Sequence, residues 1–310
     1  MKKGNKGHKG NKSEKGSQSE KSQTRSNPSN SYNPYDPCNS PMSWSSIKTQ
    51  GIVLRVHPAA EADRRYSILT PDHGKLDVLG RGAQKGLAKL ASHLEPFAIV
   101  NLEVIRGRRS TTVISVDRDQ TFHLISQSLE RRLLTSALLH VLDRYTREHD
   151  PDPDLYDFCR SWLTFLNREE PLKSTRSTFL LGAFLLRLMQ QLGYETQLSD
   201  CVNCKEEILP LSFRWHAGKG GLVCSDCVQK EKEEWFTARS MDEETVKLLR
   251  FAREAGLESL LAPALSGTQV EAFCRVVHDL EAFHLPGDFD TPFWSGVLAG
   301  YELELPRELG

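Results

Sequence analysis

"GIVLRVHPAAEADRRYSILTPDHGKLDVLG", residues 51–80, holds three short runs rich in Val, Ile and Leu, punctuated by turn signals such as "TPDHG". Runs of this length bounded by Pro, Gly and Asp read as strands. Upstream, "IKTQ" lengthens the first run; downstream, "AIVNLEVI" and "STTVISV" add two more around the turn "IRGRR". Between the third and fourth runs, "GRGAQKGLAKLASHLEP" places Leu87, Leu90 and Leu94 at helical spacing. A five-stranded barrel with a helix between strands three and four is the arrangement of an OB-fold, so residues 47–118 are expected to form an N-terminal OB-fold β-barrel.

Beyond Asp119 the apolar period lengthens to that of helices. In "TFHLISQSLERRLLTSALLHVLDRYTRE", Ile125, Leu129, Leu133, Ala137 and Val141 line one face. "DLYDFCRSWLTFL" and "STRSTFLLGAFLLRLMQQLG" read the same way, the second with Gly193 as its C-cap. Capping boxes are expected at Ser240 to Glu243 and at Thr268 to Glu271. The chain thus reads as an α+β multidomain protein, with an all-helical domain over 119–310 behind the barrel. The end, "FDTPFWSGVLAGYELELPRELG", has no clear period.

That helical half carries "CVNCKEEILPLSFRWHAGKGGLVCSDC" at 201–227. Nineteen residues separate Cys204 from Cys224, within the roughly 15 to 20 of a four-cysteine zinc site. Each Cys-x-x-Cys pair turns two sulfurs toward one point, and "LPLSFRWH" and "GLVC", joined by "AGKGG", are expected to form a β-hairpin that unites them. Cys201, Cys204, Cys224 and Cys227 are therefore the candidate ligands of one structural Zn2+ in a zinc-finger insertion at about 198–230. Four cysteines leave no open position for water or substrate. Disulfides or a redox pair are the alternative, without a βαβ context to favour them. His216 reads as a strand residue, Arg214 and Lys219 as a solvated hairpin, and Cys159 and Cys274 as core.

The net charge of −1 conceals an asymmetry. Residues 1–46 carry eight basic and three acidic groups, 47–118 twelve and seven, and the remainder twenty and thirty-one. The front of the chain attracts a polyanion and the back repels one. Candidate DNA-binding residues in the barrel are Arg55, Arg65, Lys75, Arg81, Lys85, Lys89, Arg106, Arg108 and Arg109, several of them in turns where an OB-fold presents its ligand loops. Tyr66 and Phe97 are the block's aromatic residues, so a grip on the phosphate backbone is expected rather than base stacking. The Lys-Gly repeats and Ser/Asn/Pro composition of 1–46 predict a disordered basic tail, either an arm for nucleic acid or a solubilising segment upstream of a start at Met42.

No stretch resembles a membrane span, a secretory signal, a nucleotide-binding loop or a nucleophile elbow, so a non-enzymatic protein of the reducing cytoplasm is expected. A zinc-stabilised protein interaction scaffold that does not meet DNA is the competing reading, and a metal hydrolase would need the open ligand position the cysteines do not offer.

The order of parts resembles the RecO family of DNA repair and recombination mediators. The residues that carry the likeness are the run from Gly51 to Phe97, "FLLGAFLLRLMQQLGYETQLSDCVNC" and "GGLVCSDC". The resemblance implies an OB-fold, a helical domain with a zinc site at the four cysteines, and binding of single- and double-stranded DNA. It also implies strand annealing, partnership with RecR and single-stranded-DNA-binding protein (SSB), loading of RecA onto SSB-coated DNA, and a place at the nucleoid. The basic loop after the third strand carries over to Arg81, Lys85 and Lys89, although Gln84 and Leu87 make it less charged than the family pattern. Ala60-Glu61 replaces the usual Gly-Glu turn.

Overall fold

The computed structural model describes residues 46–59, 62–84, 89–209 and 212–285. The expected tail, the aperiodic C-terminal end, Ala60, Glu61 and Lys85 lie outside these, as does the side chain of Lys89.

Strands β1 (Ser46–Pro58), β2 (Arg64–Thr70), β3 (Gly74–Gly80), β4 (Ala98–Arg106) and β5 (Thr111–Thr121) close into a barrel in the order β1-β2-β3-β5-β4, with the short helix α1 (Lys89–His93) between β3 and β4. All pairings are antiparallel except β3 with β5, where Val78 faces Thr111 and Leu79 faces Thr112. Alternation sends Tyr66, Ile68, Leu76, Val78, Val100 and Val104 into the interior, and Leu94 after α1 packs with them. In β1 the register shifts between Val53 and Arg55, and Ile52, Val53 and Leu54 are all buried. Val53 fills the barrel, while Ile52 and Leu54 join Leu69 and Ile99 in the core of the helices. The barrel wall is thus apolar on both faces where the helices cover it.

The helices are α2 (His123–Gln127), α3 (Leu129–Tyr145), α4 (Pro153–Leu166), α5 (Ser174–Gln191), α6 (Ser225–Lys230), α7 (Glu243–Glu254) and α8 (Gly267–His284). The expected single helix from 121 to 148 is broken at Ser128, whose hydroxyl accepts from the Arg131 amide as the N-cap of α3. The break rotates the apolar face: Leu129 is exposed, and Leu134, Ala137, Leu138, Val141 and Leu142 point inward. The two expected capping boxes also move. Ser240 is committed to strand pairing, so Asp242 caps α7 through the Thr245 amide at 2.7 Å. Ser266 and Gln269 form the reciprocal box of α8. Gly193 does end α5: at φ +89 it lets its own amide reach the Gln190 carbonyl and the Tyr194 amide reach Met189, a Schellman closure.

In α5 the buried apolar run is interrupted by Arg187, whose guanidinium donates to the carbonyls of Ala252 and Ala255 at the end of α7 and lies 6.0 Å over the Trp162 ring. A cation here satisfies helix-end carbonyls with no partner of their own. Among the described residues no helix is long and apolar enough to cross a membrane.

Candidate functional site

The cysteine module is a three-stranded sheet in the order β7-β6-β8, from β6 (Phe213–His216), β7 (Gly221–Cys224) and β8 (Arg239–Ser240). The expected hairpin is present: β6 and β7 pair antiparallel around a 3-10 turn at Ala217–Lys219. The module runs past the expected limit of 230, because Trp235 and Ala238 are buried with Cys201, Cys227 and Val223, and β8 pairs with β6. The signal for Trp235 in the sequence is its aromatic bulk after a charged run.

The first Cys-x-x-Cys turn closes through the Lys205 amide to the Cys201 carbonyl at 3.0 Å, and the second is the start of α6. Together they bring the four sulfurs within 4.8 Å of one another. Cys204 and Cys224 are 3.8 Å apart and Cys201 and Cys227 are 3.9 Å apart. Burial opposes ionisation of Cys201, but the amides of Cys224, Cys204 and Asn203 outweigh it and bring its thiol down to about 7. Burial pushes Cys224 up to about 12. Such a set can hold a metal ion. His216 stands apart from it, accepting from the Lys219 amide at Nδ1 and meeting Thr237 Oγ1 at Nε2, so it is a strand residue with both nitrogens engaged. Lys219 pairs with Glu234 at 3.2 Å. Cys159 and Cys274 are buried core residues, and burial raises both thiols, Cys274 to about 12.

The nine basic residues expected to meet DNA sort into distinct groups. Arg81, Arg108 and Arg109 are exposed in turns. Their surroundings are built by the barrel. Asp63 accepts from the Gly82 amide at 2.7 Å, and its carbonyl accepts from Gln84 Nε2 at 2.9 Å, tying the loop before β2 to the turn after β3. Gln84, which dilutes the charge of this loop, thereby helps to fix the turn that presents Arg81. β5 begins beside Val78 and runs parallel to β3, so the β4–β5 turn with Arg108 and Arg109 lies back toward the start of β3, on the side where Arg106 meets His149 and the His149 amide reaches the Lys75 carbonyl. Arg64 and Arg65 at the start of β2 flank β3 on its other side.

Four others are engaged. Arg65 makes a two-pronged contact with Asp77 at 3.1 and 2.9 Å, and Arg106 lies 3.3 Å from His149 Nδ1. Arg55 and Lys75 turn toward Asp143 of α3, at 3.9 and 3.4 Å. Lys75 is not a presented turn residue: its side chain is 15 % exposed and is spent on the barrel–helix junction. Sequence reasoning missed Asp143, which sits on the polar side of a helical pattern. The two aromatic residues are withdrawn as well, Tyr66 inside the barrel and Phe97 against the helical core.

A family model described as recombination protein O N terminal matches residues 42–118, and one described as recombination protein O C terminal matches 126–290. A DNA repair protein RecO of Syntrophus aciditrophicus is 30% identical over 223 residues, 71% of this chain and 83% of that protein. One of Dehalococcoides mccartyi strain 195 is 27% identical over 69% of this chain and 80% of its own length. One of Caldanaerobacter subterraneus is 26% identical over 79% and 95%. The chain belongs to the recombination protein O (RecO) family.

Proposed function

We propose that the chain is a DNA-binding recombination mediator in DNA repair, and that its barrel holds nucleic acid by the phosphate backbone. The observation that carries this is the exposure of Arg81, Arg108 and Arg109 in two turns of a closed barrel, with no ion pair to any of them among the described residues. The strand order, and the helix between β3 and β4, support reading that barrel as an OB-fold domain over 47–118, with the helical domain over 119–310. With Tyr66 and Phe97 withdrawn, contact by charge leaves base edges free to pair. That suits a protein that brings complementary strands together, on single- or double-stranded DNA. Lys85 and Lys89, which follow Arg81 in the sequence, stay with the proposed phosphate contacts, whereas Arg55 and Lys75 do not. The helical domain is then the place to look for RecR and SSB, and the outcome of their joint action is RecA loading at the nucleoid.

The metal we infer for the cysteine centre is a single structural zinc ion. Four thiolates about 2.3 Å from a tetrahedral ion lie roughly 3.8 Å from one another, which the separations of 3.8 and 3.9 Å match. Bound zinc would supply cross-linking of the two Cys-x-x-Cys turns. The cysteines close the two turns and pack with Trp235, while Ala217 and Gly218 of the hairpin turn meet His284 and Phe283 at the end of α8.

The test is annealing of two complementary labelled oligonucleotides across a salt series, with the chain and with its Arg81→Ala/Arg108→Ala/Arg109→Ala variant. Acceleration that fades with salt is expected, and the variant should bind with a logarithmic salt slope shallower by about 2 to 3. A folded, zinc-loaded chain that neither binds nor anneals would leave the interaction-scaffold reading.

A further inference from the structure

We propose that the cysteine centre is also an oxidation site that opens at Cys204, with hydrogen peroxide or another small hydroperoxide as oxidant and Cys224 as the resolving thiol. This rests on the reading of the four thiols as a zinc centre, and three features of the geometry support it.

The four sulfurs are unequal in access. Cys201 is 0% and Cys227 5% exposed, Cys224 is half-buried, and Cys204 is exposed. A solute oxidant meets Cys204 first, because oxidation of thiolates follows exposure as well as charge. The sulfurs also differ in what holds them. Cys201 accepts the Cys224 amide at 3.3 Å and lies among Val223 and Trp235, so its charge is both shared and shielded. Finally, the exposed sulfur has a partner from the other Cys-x-x-Cys turn, Cys224, at 3.8 Å, and a covalent bond requires closure to about 2 Å.

The chemistry balances within the centre and the peroxide. The Cys204 thiolate attacks one peroxide oxygen, an S–O bond forms, the O–O bond breaks, and hydroxide leaves and takes a proton from solvent. The Cys224 thiolate then attacks that sulfur, an S–S bond forms, the S–O bond breaks, and a second hydroxide is protonated. Two thiolates lose two electrons in all, and the peroxide is reduced to two molecules of water. Cys201 and Cys227 alone do not complete a tetrahedral set, so the metal is released. Because the new bond joins the two turns, the hairpin stays closed, and a dithiol reverses the change.

The experiment uses the full chain carrying Cys38→Ser, with zinc content measured first. A zinc-free folded protein would overturn the metal reading and this proposal with it. Zinc-loaded protein is then titrated with hydrogen peroxide in the presence of a chromophoric chelator, a cyclic dione traps sulfenic acid, and peptide mapping locates adducts and disulfides. The expected result is stoichiometric zinc release, the first dione adduct on Cys204, a Cys204–Cys224 disulfide, and recovery of bound zinc after dithiothreitol and added metal. Zinc retained while peroxide oxidises free thiols in the same tube, or a first modification at any other cysteine, would overturn the oxidation site and leave the zinc reading standing.

Discussion

The Lys75 ammonium lies 3.4 Å from the Asp143 carboxylate and also donates to the Asp143 carbonyl, so a lysine of β3 holds one residue of α3 at two points. Ser67 of β2 donates its hydroxyl to the same carboxylate at 2.5 Å, and Arg55 of β1 approaches it at 3.9 Å. Three neighbouring barrel strands therefore converge on one helix residue. The β2–β3 turn reinforces the junction: at Gly74, with φ +65, a Cβ would come within 2.4 Å of the Asp150 backbone. Positive charge in this barrel is thus divided: Arg55 and Lys75 attach it to the helices through Asp143, Arg65 pairs with Asp77 within it, and Arg81, Arg108 and Arg109 are presented to solvent.

Lys75→Ala should accordingly act on stability and not on DNA. It leaves a half-buried carboxylate with weaker partners and removes a hydrogen bond to a carbonyl, a loss of about 1 to 3 kcal/mol. Urea unfolding should show a lowered midpoint, while the salt slope of DNA binding at low temperature stays unchanged. A fall in that slope would return Lys75 to the DNA-binding surface.

Much of this was legible in the sequence for a physical reason: strands of a small barrel alternate over a few residues, and cysteine spacing reports local turns. What depends on distant partners was not. Ser67 and Asp143 are 76 positions apart, and a basic residue in a strand looks the same whether it meets a phosphate or a buried carboxylate. Ser128 was missed because the apolar period survives approximately across the break, and the cap of α7 because Ser240 satisfies the box pattern while its backbone is held in a sheet. Arg187 reads as an interruption until the end of α7 is placed beside it.

The same junction predicts a response to acid. His57 on β1 and His140 on α3 are both held below the usual histidine value of 6.5, by burial first and then by the Arg55 guanidinium, with Asp143 pulling the other way. Arg65 and Asp77 also act on His57, and Arg144 on His140. In the window between the depressed folded values and about 6.5 the unfolded chain binds more protons, so stability is complete above about 6.5 and declines as pH falls below it. The carboxyls held low, Glu130, Asp242 and Glu258, contribute a loss only near the ordinary carboxylate range. Urea midpoints should drop from about pH 6.5 toward 5.5, with His57→Gln/His140→Gln flattening the drop. His216, also depressed first by burial, should leave a residual slope. A level midpoint throughout would remove the junction histidines from the stability balance.

Metal removal should be read most directly at Trp235. Its ring is 2% exposed, packs with Cys201 and Cys227, and meets His216 edge-on at 5.3 Å. Chelation should shift tryptophan emission to the red, a shift absent in Trp235→Phe, and lower stability on the order of a few kcal/mol. The effect should spread to α8, because His284 Nε2 meets the Ala217 carbonyl at 2.9 Å and the Phe283 ring lies on Gly218. DNA affinity at low temperature should change little, since the free arginines belong to the barrel. Loss of DNA binding in step with zinc would instead join the two sites.

Lys205 offers a gain in stability. It follows the first Cys-x-x-Cys with φ +64, a left-handed conformation that costs an L-residue roughly 1 to 2 kcal/mol. The conformation is imposed by the turn: the Lys205 amide reaches back to Cys201, and the Cys201 amide takes the Glu206 carbonyl at 2.8 Å. The lysine side chain is exposed. Glycine relieves the strain but adds about 0.5 to 1 kcal/mol of chain entropy to the unfolded state, so Lys205→Gly should stabilise by about 0.5 to 1 kcal/mol net. The gain should persist after chelation if it comes from the backbone alone, and should be larger in the zinc-loaded protein if the metal enforces the turn. Urea unfolding of both forms separates these outcomes, and a Lys205→Gly chain less stable than the parent in both would show that the lysine makes a contact outweighing its strain.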